Sequence, residues 1–148
     1  MEAKYKGIDV SKWQGDINWE KVRASGVEFA MLRAGFGRCQ GQNDTSFERN
    51  YREAKKNGIL VGAYHYSYAK TVSDAEKEAE YFLSLISGKS FEFPVAFDIE
   101  DNSQKNLSRE EISNIVEAFC GRTEKAGYFV SVYANLWWLN NKISDRVK

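Results

Sequence analysis

The sequence predicts an α/β fold, a (β/α) barrel of TIM-like type, and three observations carry that expectation. Apolar strand-like runs alternate with amphipathic helical stretches from one end of the 148 residues to the other. Such alternation implies parallel strands joined by right-handed crossovers. Polar residues recur at the C-terminal ends of the strands, the face on which a barrel of this kind carries its site. The first strand runs into Val10-Ser-Lys-Trp-Gln-Gly15, which is not the glycine-rich phosphate turn of a doubly wound dinucleotide-binding sheet.

The elements follow in order. The first strand is expected over Lys6–Ser11, with Asp9 at its end. Asn18–Ser25 reads as a short helix closed by Gly26. A second strand over Phe29–Gly35 carries Arg33 near its end. The stretch Asp44–Asn57 places Phe47, Tyr51 and Ala54 on one helical side and stops at Gly58. The third strand, Leu60–Tyr68, carries Tyr64 and Tyr66 on one face. His65 has the opposite parity, so it is expected to face the helices as a core histidine. Ser73 with Glu76 suggests a capping box ahead of the apolar stripe Ala75, Ala79, Phe82, Leu83 and Ile86, with Gly88 after it. The fourth strand is expected over Phe93–Glu100. Ser108 with Glu111 repeats the capping device before Ile112, Ile115, Val116 and Phe119, and Gly127 stops that helix. The fifth strand, Phe129–Asn135, carries Tyr133 and Asn135, and the remainder has room for one short helix. Five βα units are therefore expected where a closed barrel has eight, within one domain over residues 1–148. The barrel is expected to be incomplete.

The run Phe93-Pro-Val-Ala-Phe-Asp98-Ile-Glu100-Asp101 carries the clearest chemistry. Strand side chains alternate, so Ala96, Asp98 and Glu100 share one face while Val95, Phe97 and Ile99 share the other. Two acids side by side at the end of an apolar strand repel each other, which raises the proton affinity of at least one. That is the setting of an acid/base pair working near neutral pH. The plain alternative is a strand exit where acids meet water. Asp101 is expected to cap or solvate the turn that follows.

Composition narrows the classes of function. Lys and Arg number 21 against 21 Asp and Glu, so no polybasic footprint for nucleic acid is present. No apolar run reaches the length of a membrane span, and the N-terminus lacks a signal-peptide core. No phosphate loop, metal-ligand spacing or nucleophile–base triad is evident, so neither cofactor nor metal is expected. Cys39 and Cys120 are far apart in sequence and read as free thiols. Aromatic residues reach 14%, which serves a core but also supplies rings for stacking on sugars or bases.

Five segments together resemble the family 25 glycoside hydrolases, lysozymes with a compact (β/α) barrel. They are Gly7-Ile-Asp9-Val-Ser11 with Trp13-Gln14-Gly15, Leu32-Arg33-Ala34-Gly35, Gly62-Ala-Tyr64-His65-Tyr66, Phe97-Asp98-Ile-Glu100, and Val132-Tyr133-Ala-Asn135. Each is weak alone, but their order and spacing agree from Lys6 to about Asn141. The family continues through further strands with a tryptophan-rich segment, a Gln-Tyr pair and a late Asp-x-Asn strand, which do not occur in this sequence. The resemblance therefore implies a barrel lacking its last strands and one site carboxylate.

What the resemblance implies is hydrolysis of the β-1,4 bond from N-acetylmuramic acid to N-acetylglucosamine in peptidoglycan, with retention and possible substrate assistance. Glu100 would be the general acid/base, and Asp98 would stabilise positive charge at the anomeric centre or on a substrate N-acetyl group. Asp9 would hold substrate or tune Glu100 by repulsion, or simply brace the next loop. Tyr64, Tyr66, Tyr133 and Asn135 would contact sugar, and Trp13 would border the groove. Arg33 would be a counter-ion to Asp9 or Asp98, or a structural cation. Trp137 and Trp138 are expected to cover the barrel. The expected site of action is the bacterial cell wall, as for a phage endolysin or a mature secreted form. A different class is an inert or carbohydrate-binding fragment that self-associates, as a homodimer for instance, through its exposed strand edges.

Overall fold

The computed structural model describes residues 4–147. Met1–Ala3, part of the stretch read for a leader, and Lys148 lie outside them. Five strands form one sheet: β1 (Gly7–Val10), β2 (Phe29–Phe36), β3 (Leu60–Tyr66), β4 (Val95–Asp98) and β5 (Val130–Tyr133). Their spatial order is 1-2-3-4-5 and every neighbouring pair is parallel. The helices between and after them are α1 (Trp19–Ala24), α2 (Phe47–Lys56), α3 (Val72–Ile86), α4 (Arg109–Lys125) and α5 (Leu136–Asn141). Short 3-10 turns occupy Lys12–Gln14, Asn102–Gln104 and Asp145–Val147.

The two faces of the sheet differ in chemistry because side chains alternate along each strand. Val10, Ala30, Leu32, Val61, Ala63, Val95 and Phe97 are buried in one core with Ala54, Ala79, Phe82, Ile115 and Phe119 of the helices. His65 belongs to that side, as its parity predicts. It is fully buried, its ring stacks on Phe119, and Phe97 stacks on Phe119 at 4.0 Å. The Nε2–H of His65 donates to the Gly37 carbonyl at 2.7 Å, and burial lowers its pKa to about 4, so it is a neutral core residue. The opposite face carries Asp9, Met31, Tyr64, Ala96, Asp98 and Tyr133 and is open along a cleft. A register shift between Arg33 and Gly35 inserts Ala34 in β2, leaving Arg33 beside Tyr64 and turning Gly35 towards α3.

Of the two capping boxes the sequence predicts, the one on α4 is present. Asn18 caps α1 through Lys21 N, and Ser108 with Glu111 forms a reciprocal capping box on α4. The capping box at Ser73 is corrected. Helix α3 begins two residues earlier, and the hydroxyl of Thr71 accepts from Asp74 N at 3.1 Å. Residues 67–70 are held by buried hydrogen bonds, so the chain enters the helix at extended Thr71 and Ser73 sits exposed in the first turn. Strand β4 ends at Asp98, short of the expected Glu100, although Ile99 N still donates to Tyr133 O.

Candidate active site

The cleft has a volume of about 480 Å³. One end of its lining is apolar. The Phe29 and Phe93 rings stack at 4.3 Å, and Met31 and Pro94 complete that part of the wall. Phe29 lies over Gly7, where an added Cβ would meet the ring at 2.2 Å, so glycine is what lets the ring close this end. Asp9, Tyr64, Asp98, Ser131 and Tyr133 add the polar lining. Strand register explains the convergence: Tyr66, Asp98 and Tyr133 are cross-strand partners, as are Tyr64, Ala96 and Ser131 one layer below.

Asp98 is only 7% exposed, and its Oδ1 is buried without a hydrogen-bond partner among the described residues. Burial, reinforced by the negative charges of Glu100 and Asp9 and opposed by Arg33, pushes its pKa up to about 7. The expected repulsion between neighbouring acids is present, but burial is the larger cause. Glu100 lies just past β4 and is more open, and its Oε2 accepts from Asn135 N at 2.5 Å. Asp9 is exposed at the lip of β1. Asp9 and Asp98 thus line the cleft, and Glu100 lies near enough for its charge to act on Asp98.

The tyrosines fall into two groups. Tyr64 is half-buried in the cleft wall, and burial holds its phenol protonated well above the ordinary range, with Arg33 opposing and the nearby acids adding. Tyr133 is 56% exposed, and burial and then Glu100 push its hydroxyl in the same direction. Tyr66 does not line the cleft. Its hydroxyl donates to Asp101 Oδ2 at 3.1 Å, and its ring meets Tyr68 edge-on. Asp101 caps the 3-10 turn after β4 by accepting from Ser103 N, as its position predicts.

Arg33, Asn135 and Trp13 are not part of the cleft lining. Arg33 Nε donates to Asp44 Oδ2 at 2.8 Å, and Asp44 is fully buried at its carboxylate. Asp44 also accepts from Lys12 N and Ser46 N, so it fastens the turn that carries Trp13. Asp44 escapes a reading of the sequence because it reaches Arg33 only through the chain reversal that pairs Gly35 with Asn43. The Asn135 side chain caps α5 through Trp138 N, while its backbone N–H holds Glu100. Trp13 is 75% exposed on the first 3-10 turn, with Lys12 Nζ 5.0 Å from its ring centre. Trp138 is buried in the core and Trp137 is half exposed. Ser131, two residues before Tyr133, was legible from strand parity alone and lines the cleft. Cys39 and Cys120 are free, and burial pushes the Cys120 thiol up to about 12. Among the described residues no cluster of three or more His, Cys, Asp or Glu is arranged to hold a metal ion. No helix among them is long and apolar enough to cross a membrane.

Comparison with known proteins gives the family and the fold this chain resembles. The family model Glycosyl hydrolases family 25 matches residues 8–148. Lysozyme M1 of Streptomyces globisporus is 34% identical over 145 residues, covering 91% of this chain and 48% of its own length. A solved family 25 glycosyl hydrolase from Bacillus anthracis superposes with a TM-score of 0.83 at 27% identity, covering 98% of this chain and 68% of that one. The modular autolysin LytC from Streptococcus pneumoniae, solved with a synthetic peptidoglycan ligand, gives a TM-score of 0.82 at 27% identity over 93% of this chain and 34% of its own. The chain spans about half the length of the curated relatives it matches.

Proposed function

The chain belongs to glycosyl hydrolase family 25, and from that premise we propose that it is a muramidase acting on cell-wall peptidoglycan. The bond cleaved is the β-1,4 link from N-acetylmuramic acid to N-acetylglucosamine. The observation that carries this reading is Asp98 in the cleft with Asp9, under the charges of Asp9 and Glu100, with its proton affinity raised to near neutrality.

Glycoside hydrolysis needs an acid at the leaving oxygen and negative charge beside an oxocarbenium-like centre. The Asp98–Glu100 pair meets both needs if one proton is divided between two coupled carboxyls. In the free site burial favours the proton on Asp98. The bound complex must therefore hold the shared proton on the more accessible Glu100 and the anion on Asp98, beside the sugar carbon where positive charge develops as the glycosidic bond breaks. Glu100 then protonates the leaving oxygen, and in the next step takes a proton from the attacking water. Asp9 adds negative potential from the opposite lip, and Tyr64 and Tyr133 offer a ring face and a hydroxyl each to sugar.

The sheet itself we read as five consecutive units of a (β/α) barrel, supported by its sequential strand order and one-sided core. The outer edges of β1 and β5 have no strand partner among the described residues. A homodimer through those edges is the assembly this reading allows.

The test is digestion of purified peptidoglycan with analysis of soluble products by mass spectrometry, beside a Glu100→Gln control. Products with reducing muramic-acid ends, lost in the control, are expected. A folded protein that releases none would refute hydrolysis by this chain and leave carbohydrate binding as its role.

A further inference from the structure

Behind the carboxylates lies a buried polar network that the mechanism above does not use. Glu78 of α3 is 1% exposed, and Ser67 and Gln104 are fully buried. Glu78 Oε2 accepts from Ser67 Oγ at 2.8 Å, and Oε1 accepts from Tyr68 N at 2.8 Å. Ser67 Oγ in turn accepts from Ala69 N at 3.1 Å and from Gln104 Nε2 at 3.2 Å. The second hydrogen of that amide goes to Ala69 O at 2.8 Å, and its Oε1 accepts from Asp101 N at 3.2 Å.

The donor and acceptor inventory closes on itself. A serine hydroxyl has one hydrogen and two lone pairs, and all three are used. Both amide hydrogens of Gln104 are used, which fixes its orientation. Glu78 must then accept at both oxygens, which a carboxyl group can do and an amide, with NH2 in place of one oxygen, cannot. Each bond ties a piece of backbone beside the cleft: Ser67 N donates to Asp98 O at 2.8 Å, and Asp101 directly follows Glu100 and accepts from the Tyr66 hydroxyl. Helix α3 and the loop after β3 thus meet at the Glu78 carboxyl, and the loop after β4 joins them through Ser67.

We propose that Glu78 is a positioning residue, acting through Ser67 and Gln104 to set the Asp98–Glu100 segment and the Tyr66–Tyr68 segment in register. This deepens the muramidase reading and, for its kinetic part, rests on it. Glutamine at position 78 is nearly isosteric but brings an NH2 group. Whichever way that amide turns, one donor faces another donor, at Ser67 or at Tyr68.

The test compares Glu78→Gln with the unmutated protein and with Ile86→Val, a core change in the same helix. Amide hydrogen exchange followed by NMR is expected to show Tyr68 and Ala69 opening at least about tenfold faster in Glu78→Gln, with Ala63 and Phe97 unchanged. On soluble glycan substrate kcat should fall by about tenfold or more with KM little altered, since small misplacement near reacting groups is costly. Ile86→Val should show neither effect. Equal Tyr68 exchange in Glu78→Gln and the unmutated protein, or kinetics that follow stability alone in both variants, overturns the proposal. Should Glu78→Gln not fold, Gln104→Met opens the network from its other side and is expected to free the same two amides. An unmutated protein without hydrolytic activity refutes the muramidase reading, and the exchange comparison still decides the positioning role.

Discussion

The backbone N–H of Asn135 donates to Oε2 of Glu100 at 2.5 Å, while the side chain of the same asparagine caps α5. One residue thus starts a helix and tethers a carboxylate from the neighbouring strand exit. The bond leaves the other oxygen of Glu100 available for proton transfer. Glu100→Gln keeps an acceptor for Asn135, so thermal stability should be unchanged while hydrolysis falls. Loss of a positioned acid/base costs about 10²–10⁴ in rate. Assay of soluble peptidoglycan fragments beside a melting curve checks both halves. A variant retaining full activity would remove Glu100 from the mechanism.

Asp98 sets a prediction about pH. Its folded pKa of about 7 lies above the ordinary 3.8, so between these values the folded state keeps a proton that the unfolded chain has released. Stability therefore falls as pH rises through that window and stays low above it. Asp98→Asn removes the penalty and should raise stability at pH 8 by roughly 2–4 kcal/mol, while abolishing activity. Glu78, pushed up to about 7 by burial, acts with the same sign and should leave a residual slope in the variant. Urea unfolding at pH 5 and pH 8 measures the difference. No gain at pH 8 would mean that Asp98 is ionised without cost.

Gly62 sits on the cleft side of β3, where an added Cβ would lie 2.5 Å from Met31 Sδ and 2.6 Å from the Pro94 carbonyl oxygen. The methionine can swing aside, but the carbonyl belongs to the backbone leading into β4. Gly62→Ala should cost about 1–3 kcal/mol by overpacking, read as a lower urea midpoint at unchanged slope.

Strand order, helix order and the cleft-facing set Asp9, Tyr64, Asp98 and Tyr133 were legible because both periodicities are strong here and parity assigns faces. What the sequence conceals has a common cause. Ser73 satisfies a local capping pattern, yet the buried bonds to Ser67, Tyr68 and Ala69 bring the chain into α3 at Thr71. Arg33 was read as a counter-ion to Asp9 or Asp98 or as a structural cation, and its charge does act on Asp98, but its direct partner Asp44 is brought up by a chain reversal that no local pattern marks. Glu78 carries no mark of burial in a helix otherwise rich in exposed acids. Contacts made between loops have no period, so a sequence shows the residues and conceals their partners.

The Arg33–Asp44 pair supplies the last prediction. Asp44 gathers three donors, Arg33 Nε, Lys12 N and Ser46 N, at a carboxylate with no exposure, and Arg33 is itself largely buried. Asp44→Ala leaves all three without an acceptor and strands a guanidinium charge, which for buried pairs costs about 3–5 kcal/mol. Much of that cost is the unpaired charge and not the pair's own worth. Arg33→Met in the Asp44→Ala background should therefore recover part of the loss, although Lys12 N and Ser46 N stay unpaired. The same double variant removes the cation that opposes protonation of Asp98. The acid limb of any pH–rate profile should then move to higher pH. Denaturant unfolding of the three variants, read as a double-mutant cycle, decides the first point. A double variant no more stable than Asp44→Ala alone would show that the backbone donors, not the charge, are what Asp44 exists to satisfy.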